Sequence, residues 1–176
     1  AATTATCGSR VMREQEFDVV LVDEASQLTE PDTLAAINRG DRFVLVGDHE
    51  QLPPVVRSGG RLGTSLFERL VDTHPEAAVM LDQQYRMSQR IQAFSSESFY
   101  DGQLRPATGE VAGQTLADLG VETGGAVRDG VSFHDVPGTG DAHVDPAEAE
   151  CVGGVVREYV DVGLDPADVG VIAPFR

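Results

Sequence analysis

Two short apolar runs stand out along the chain, and each ends in a cluster of polar residues. The first run, Val19–Val22, consists of four consecutive aliphatic residues. The second, Arg42–Val46, has the same character after its leading arginine. Uninterrupted apolar runs of this length are typical of strands buried on both faces of a parallel sheet. Between them, Pro31 to Asn38 is predicted to be a short helix, so that the three segments form a βαβ unit.

The rest of the chain continues to alternate between strand and helix patterns. Ser88 and Asp145 are predicted to cap two further helices. The first should carry Ile91, Phe94 and Phe99 inward, and the second should place an apolar stripe from Val152 to Val160 in the core. Further strands are expected at Ala78–Leu81, Val131–Val136 and Val169–Ala173. The Gly-rich stretch 105–130 lacks a clear period and is expected to be an irregular excursion without assigned chemistry. The order of elements predicts an α/β fold with a parallel sheet.

The polar residues that follow the first two strands are candidates for phosphate chemistry. In open parallel sheets, ligands bind beyond the carboxyl ends of the strands. There, Asp23 can hold Mg²⁺ on a nucleotide, and Glu24 can accept a proton from an attacking water. Gly47 allows a close approach to a ligand, and Gln51, three residues after Asp48, can report whether a γ-phosphate is present. A surface turn with two solvated acids is the alternative, but polar tips on two adjacent strands favour a site.

Three motifs, taken in order, resemble a known family. Asp23–Gln27 reads DEASQ, Gly47–Pro54 reads GDHEQLPP and Gln84–Met87 reads QYRM. Together they are similar to motifs II, III and IV of the superfamily 1B helicases. The closing segment Val169–Arg176, VGVIAPFR, resembles the IGVITPYR segment found in the branch that contains the RNA-decay helicases and the DNA replication helicase-nucleases. The resemblance spans most of the chain.

The resemblance implies a RecA-like, P-loop NTPase architecture and an ATP-dependent helicase that uses Mg²⁺. Residues 1–82 would be the C-terminal part of a first RecA-like domain, and residues 83–176 the N-terminal part of a second. The implied partner is single-stranded DNA or RNA, with movement from 5′ to 3′. No G-x-x-x-x-G-K-[ST] loop occurs, since the chain has no lysine. In the family this loop lies upstream and an arginine motif lies downstream, so the chain is expected to be an internal piece, inactive without the rest of its polypeptide.

The resemblance also implies roles for individual residues. Asp23 would bind Mg²⁺, Glu24 would be the catalytic base and approach the metal through water, and Gln51 would sense the γ-phosphate. Arg86 would reach the γ-phosphate from the opposite side of an interdomain cleft; an ordinary salt-bridge arginine is the alternative, and the motif match favours the first role. Tyr85 would either pack near the adenine or fill the domain junction, and the sequence leaves both roles open. The residues expected near a nucleic-acid strand are Thr6, Pro53, Pro54 and Arg176; for Arg176, a phosphate contact is the alternative, and for Thr6 it is a plain strand and turn.

The charge balance changes the picture of the surface. The chain has 29 acidic and 13 basic residues, a net charge of −16, and every basic residue is arginine. Proteins that bind nucleic acid usually show a basic surface, so one interpretation is that this chain avoids nucleic acid. The other is adaptation to molar salt, which the absence of lysine and the abundance of Asp, Glu, Ala, Val and Gly favour. We therefore predict a halophilic protein, whose net charge says little about its ligand.

The cysteines, the histidines and the lack of long apolar runs bear on metal binding and on the cellular compartment. Cys7 and Cys151 are far apart and form no CxxC pair, and the four histidines show no metal-ligand spacing. No apolar run approaches membrane-spanning length and no signal-peptide pattern opens the chain, which predicts a cytoplasmic protein without membrane contact.

Two other classes of function compete with the helicase. One is a P-loop ATPase that acts on no nucleic acid, and the other is a non-catalytic scaffold. The intact Asp23, Glu24 and Gln51 argue against the scaffold, because packing requires none of them. The choice between DNA and RNA, and the presence of a fused nuclease domain, stay open at this point.

Overall fold

The computed structural model describes residues 1–56, 63–124, 127–138 and 144–173. The chain divides into two compact units, Ala1–Met80 and Leu81–Arg176. Each unit contains one pair of parallel strands among its described residues. The predicted α/β class with parallel strand pairing is therefore confirmed.

The first unit is built around a βαβ unit, as predicted. Strand β1 (Phe17–Val22) pairs in parallel with β2 (Gly40–Leu45), and the register runs from Phe17 opposite Gly40 to Val22 opposite Leu45. Helix α2 (Glu30–Ile37) connects the two strands, with Pro31 in its first turn. Proline is favoured there because its missing N–H has no helical partner to lose.

Two further helices complete the first unit. The four-residue helix α1 (Thr4–Cys7) precedes β1, so the strand considered for Thr6 is not formed. Helix α3 (Leu66–Thr73) begins at Ser65, whose side chain accepts the backbone N–H of Glu68 and caps the helix.

The core of the first unit lies on one face of the strand pair. Val22, Ala25 and Ala36 are buried there, and Val20 and Leu45 pack against them. On the other face, Val19, Leu21 and Val44 are 49%, 64% and 48% exposed. The expectation that both faces are buried is wrong for the described residues, because their contacts cover only the face that packs with α2.

The second unit is organised by the pairing of β3 (Gln83–Gln84) with β4 (Arg105–Pro106). Helix α4 (Gln89–Phe99) connects them. Its buried side chains are polar: Gln92 Nε2 and Ser96 Oγ both donate to the backbone carbonyl of Leu104, at 2.7 and 2.8 Å. These bonds fasten α4 to the segment that enters β4.

The helical face predicted to point inward is instead at the surface. Ile91, Phe94 and Phe99 are 44%, 69% and 48% exposed, and the rings of Phe94 and Phe99 meet edge to face, with centroids 6.2 Å apart. The prediction was wrong because the polar face of α4 is hydrogen-bonded to the carbonyl of Leu104. Hydrophobic periodicity carries no information about such hydrogen bonds.

The stretch expected to be irregular contains ordered elements. After β4 comes the short helix α5 (Gly109–Ala112), and then a 3₁₀ turn at Leu116–Leu119. Val121 and Val127 are buried with Leu164 and form a second core. The prediction of an irregular segment was therefore wrong for much of residues 105–130.

Helix α6 (Pro146–Asp161) begins where the sequence predicts. Asp145 Oδ1 accepts the N–H groups of Ala147 and Glu148 at 2.9 and 3.3 Å. Along the predicted stripe, Tyr159 packs against the core of Val121, Val127 and Leu164, whereas Val152 is 43% exposed. The stripe is thus only partly a core face.

Three predicted strands do not form. Residues 78–81, 131–136 and 169–173 have no strand pairing, and Val79, Phe133 and Ile172 within them are at least 87% exposed. A strand requires a partner backbone, and no described segment provides one for these residues. Across the described part of the chain, no helix combines the length and apolar character needed to cross a membrane.

Candidate functional site

The turns that follow β1 and β2 lie side by side. Val46 donates its backbone N–H to Val22 at 2.8 Å, and Ala25 donates to Val46 at 2.8 Å. These two bonds continue the hydrogen-bond ladder past the ends of the strands. The polar residues after the two strands are therefore brought to the same edge of the sheet.

Ser26 joins the two turns. Its side chain is 3% exposed, and its Oγ accepts the backbone N–H of Asp48 at 3.0 Å. Gly47 passes directly against Ser26, with no room for a side chain. Gly47 is expected from the sequence to allow a close approach to a ligand, and the close approach found in the structure is to the neighbouring turn. Ser26 has no predicted role, and the one signal for it in the sequence is a small residue within DEASQ.

The acidic pair sits on a strained backbone. Glu24 has φ 54° and ψ 36°, the left-handed region that residues with a side chain rarely adopt. Its backbone N–H donates to Asp23 Oδ1 at 3.0 Å. Such strain costs about 1–3 kcal/mol and is common at active sites. Both side chains are exposed, so a ligand can reach them.

Gln27 holds the carboxylate of Glu24. The Nε2 of Gln27 donates to Glu24 Oε2 at 3.0 Å. This bond limits the rotamers open to Glu24 and leaves its other oxygen, Oε1, outside that contact. Gln27 has no role predicted from the sequence, although its position in DEASQ is a signal for one.

Asp48 organises the loop after β2. It accepts the N–H of Glu50 at Oδ1 (3.1 Å) and the amide of Gln51 at Oδ2 (2.7 Å). Gln51 also donates its backbone N–H to the Asp48 carbonyl at 3.3 Å. Asp48 therefore fixes Gln51 within the loop, and its own N–H bond to Ser26 links that loop to the turn that carries Glu24. The Gln51 amide carries a second hydrogen, which can be donated to another acceptor.

In the second unit, the QYRM turn is closed by Gln84. The Oε1 of Gln84 accepts the N–H groups of Arg86 and Met87 at 2.8 and 2.7 Å, and its Nε2 donates to the Met87 carbonyl at 2.7 Å. Tyr85 and Arg86 are both exposed, with Tyr85 at 70%.

The residues predicted to contact nucleic acid make none of the hydrogen bonds described above. Thr6 is in α1, where its Oγ1 is 3.0 Å from Thr3 Oγ1. In the loop after β2, Pro53 is exposed and Pro54 is buried. Arg176 lies outside the described residues.

The acidic pair alone does not form a protein-only metal site. No group of three or more His, Cys, Asp or Glu side chains that could hold an ion occurs within the described ranges. Mg²⁺ is usually bound by one or two carboxylates together with substrate phosphates and waters. The donor set of Asp23 and Glu24 fits that mode of binding.

Two protein-family models match the chain. Both are described as an AAA domain, and they cover residues 1–59 and 62–176. Together they account for nearly the whole chain.

Similar proteins are found in archaea, plants and mammals. An uncharacterised ATP-dependent helicase of Methanocaldococcus jannaschii is 42% identical over 67% of this chain. A DNA replication ATP-dependent helicase/nuclease of Arabidopsis thaliana is 32% identical over 100% of the chain, and the DNA-binding protein SMUBP-2 of Mesocricetus auratus is 37% identical over 95%. The matched regions span 18%, 15% and 18% of these three relatives, respectively.

Proposed function

Since this chain belongs to the superfamily 1B helicases, we propose that it forms the ATP-hydrolysing motor segment of a DNA or RNA helicase. The two units would be the C-terminal part of one RecA-like domain and the N-terminal part of a second. The observation that supports the proposal is the pairing, at one sheet edge, of the turn after β1, which carries Asp23 and Glu24, with the loop after β2, which carries Gln51.

Asp23 would hold Mg²⁺ together with the phosphates of ATP. Its Oδ1 accepts one N–H from Glu24, and a carboxylate has capacity for further contacts on both oxygens. Bound there, the ion would neutralise charge on the phosphates. Glu24 would reach the ion only through water.

Glu24 would be the general base. Gln27 holds one carboxylate oxygen, so that the other can accept a proton from the attacking water. A base whose side chain is already held in one rotamer loses less conformational entropy when it reaches the geometry needed for proton transfer.

Gln51 and Arg86 would respond to the γ-phosphate. The second amide hydrogen of Gln51 can donate to a phosphate oxygen while Asp48 keeps the side chain in place. The guanidinium of Arg86 would stabilise the charge that develops on the phosphoryl group in the transition state. Tyr85, exposed beside Arg86, would pack against the adenine or against the neighbouring domain.

Single-stranded DNA or RNA would be the partner that the motor moves along, from 5′ to 3′. The relatives named above include a DNA replication helicase/nuclease and a DNA-binding protein. The residues proposed to line the strand path are Thr6, Pro53, Pro54 and Arg176. The phosphate-binding loop and the later arginine motif would come from other parts of the same polypeptide.

The test uses the complete protein, meaning this chain with whatever flanks it in its gene. ATP hydrolysis should rise when single-stranded DNA or RNA is added. Glu24→Gln should abolish turnover and leave ATP binding intact, because an amide cannot accept the proton. Hydrolysis that ignores both nucleic acids would favour an ATPase with another partner, and normal turnover by Glu24→Gln would remove Glu24 as the base.

A further inference from the structure

The side chain of Gln84 closes the turn that carries Arg86. Three hydrogen bonds of 2.7–2.8 Å join its amide to the backbone of Arg86 and Met87. The amide oxygen serves two donors and the amide nitrogen serves one acceptor. A carboxamide carries its acceptor and its donor on two separate atoms, and this turn uses both.

The residues next to Gln84 depend on this turn for their position. Tyr85 is 70% exposed, and Arg86 is exposed as well. Exposed side chains make few packing contacts, so their positions depend mainly on the backbone to which they are attached. Gln84 itself is half-buried, as expected for a residue that braces a turn from within.

We propose that Gln84 is a positioning residue for Arg86, which fixes the origin of the guanidinium without contacting the nucleotide. The inference rests on the proposed function, in which Arg86 acts on the γ-phosphate. An arginine that stabilises a transition state is effective only within a narrow range of positions. Loosening the turn should therefore slow the chemical step and leave nucleotide binding nearly unchanged.

Gln83 provides a matched control. It is the same residue type in the same two-residue strand, and its side chain points to the opposite face because successive strand residues alternate. Gln83 is exposed, and its side chain has no part in the three bonds that close the turn.

The experiment compares kcat and ATP affinity in the complete protein for Gln84→Leu, Arg86→Ala, the double variant and Gln83→Leu. Affinity is measured with a fluorescent ATP analogue. Gln84→Leu should lower kcat roughly 10- to 100-fold with nearly unchanged affinity, and Gln83→Leu should behave as the unmodified protein. The double variant should have the same kcat as Arg86→Ala, because a positioning residue has no effect once its target is gone.

Gln84→Glu is a second variant in case leucine prevents folding. It keeps an acceptor for both N–H groups but turns a carboxylate oxygen toward the Met87 carbonyl in place of the donor, so its kcat should also fall, and again only when Arg86 is present. A double variant much slower than Arg86→Ala alone, or unchanged kcat in both Gln84 variants, would overturn the inference. Normal kcat in Arg86→Ala would instead overturn the role of Arg86 in the proposed function, so the two failures are distinguishable.

Discussion

Gly47 lies so close to Ser26 that a Cβ atom at position 47 would be 2.8 Å from the Ser26 backbone nitrogen. The contact occurs where Ser26 Oγ also accepts the N–H of Asp48. Glycine is thus required here for the approach of two backbones. The two turns that carry the candidate site form one packed unit, and a change in one should be transmitted to the other.

Gly47→Ala should destabilise the chain by about 1–3 kcal/mol, because the added methyl group has to push the two turns apart. The free energy of unfolding in urea measures this. Gly153→Ala is the matched control: Gly153 lies within α6, and a Cβ there meets nothing within 4 Å. That change should instead stabilise by up to about 1 kcal/mol. Equal effects at the two positions would contradict the contact between Gly47 and Ser26.

Because the backbone of Glu24 is left-handed, glycine should be more stable than alanine at position 24, which is the reverse of the usual order. At φ 54° the folded state is destabilised by about 1–2 kcal/mol with alanine but not with glycine. This energy is larger than the extra conformational entropy that glycine loses on folding. Glu24→Gly should therefore unfold at higher urea than Glu24→Ala, although neither retains a base. At Glu97, within α4, the order should reverse, with glycine about 1 kcal/mol less stable than alanine. The same order at both positions would argue against a strained Glu24.

The sequence predicts the first βαβ unit well, because every signal there is local. The apolar runs of β1 and β2 and Pro31 in α2 need no distant partner to be recognised. The pairing of β3 with β4 was missed, since Gln83 and Gln84 show no apolar pattern and the pairing depends on α4 reaching the Leu104 carbonyl. The strands expected at 131–136 and 169–173 failed for the opposite reason: the apolar pattern is present, but no segment within the described ranges supplies a partner backbone.

The residues of the candidate site also differ in how far the sequence predicts their roles. The motif resemblance predicts roles for Asp23, Glu24, Gln51 and Arg86, because their chemistry follows from residue type. Gln27, Ser26 and Gln84 have no predicted role, because each acts through a hydrogen bond that leaves no periodicity and no charge pattern in the sequence; the bond of Ser26, to the Asp48 N–H, also spans 22 residues.

Folding of this chain should depend strongly on salt. With a net charge of −16, carboxylates repel one another over the roughly 30 Å screening length of 0.01 M salt, and over only about 3 Å at 1 M. Circular dichroism should show a melting temperature that rises from dilute buffer to molar KCl. Sucrose at equal osmolality controls for effects other than screening. A melting temperature that is the same in dilute buffer and molar KCl would count against the halophilic prediction.

Arg86 should be intolerant even of lysine. A guanidinium offers five N–H donors in a planar fork, and it can hold two phosphate oxygens at once, whereas an ammonium is a point charge. Arginines that act this way in phosphoryl transfer contribute about 10³–10⁵ in rate. In the complete protein, Arg86→Lys should therefore lose most of the ATPase rate that Arg86→Ala loses, with ATP affinity much less changed, and ATP should no longer alter the affinity for single-stranded nucleic acid.

Arg90→Lys is the control for that comparison. Arg90 lies in α4 in the same unit, and its guanidinium faces Asp129 at 4.0 Å with its side chain 66% exposed. A surface ion pair of this kind contributes about 0–1 kcal/mol and accepts lysine readily, so turnover should stay near that of the unmodified protein. If Arg86→Lys also keeps its turnover, a positive charge is all that position 86 supplies. The planar fork, and with it the geometry that Gln84 is proposed to maintain, would then have no part in catalysis.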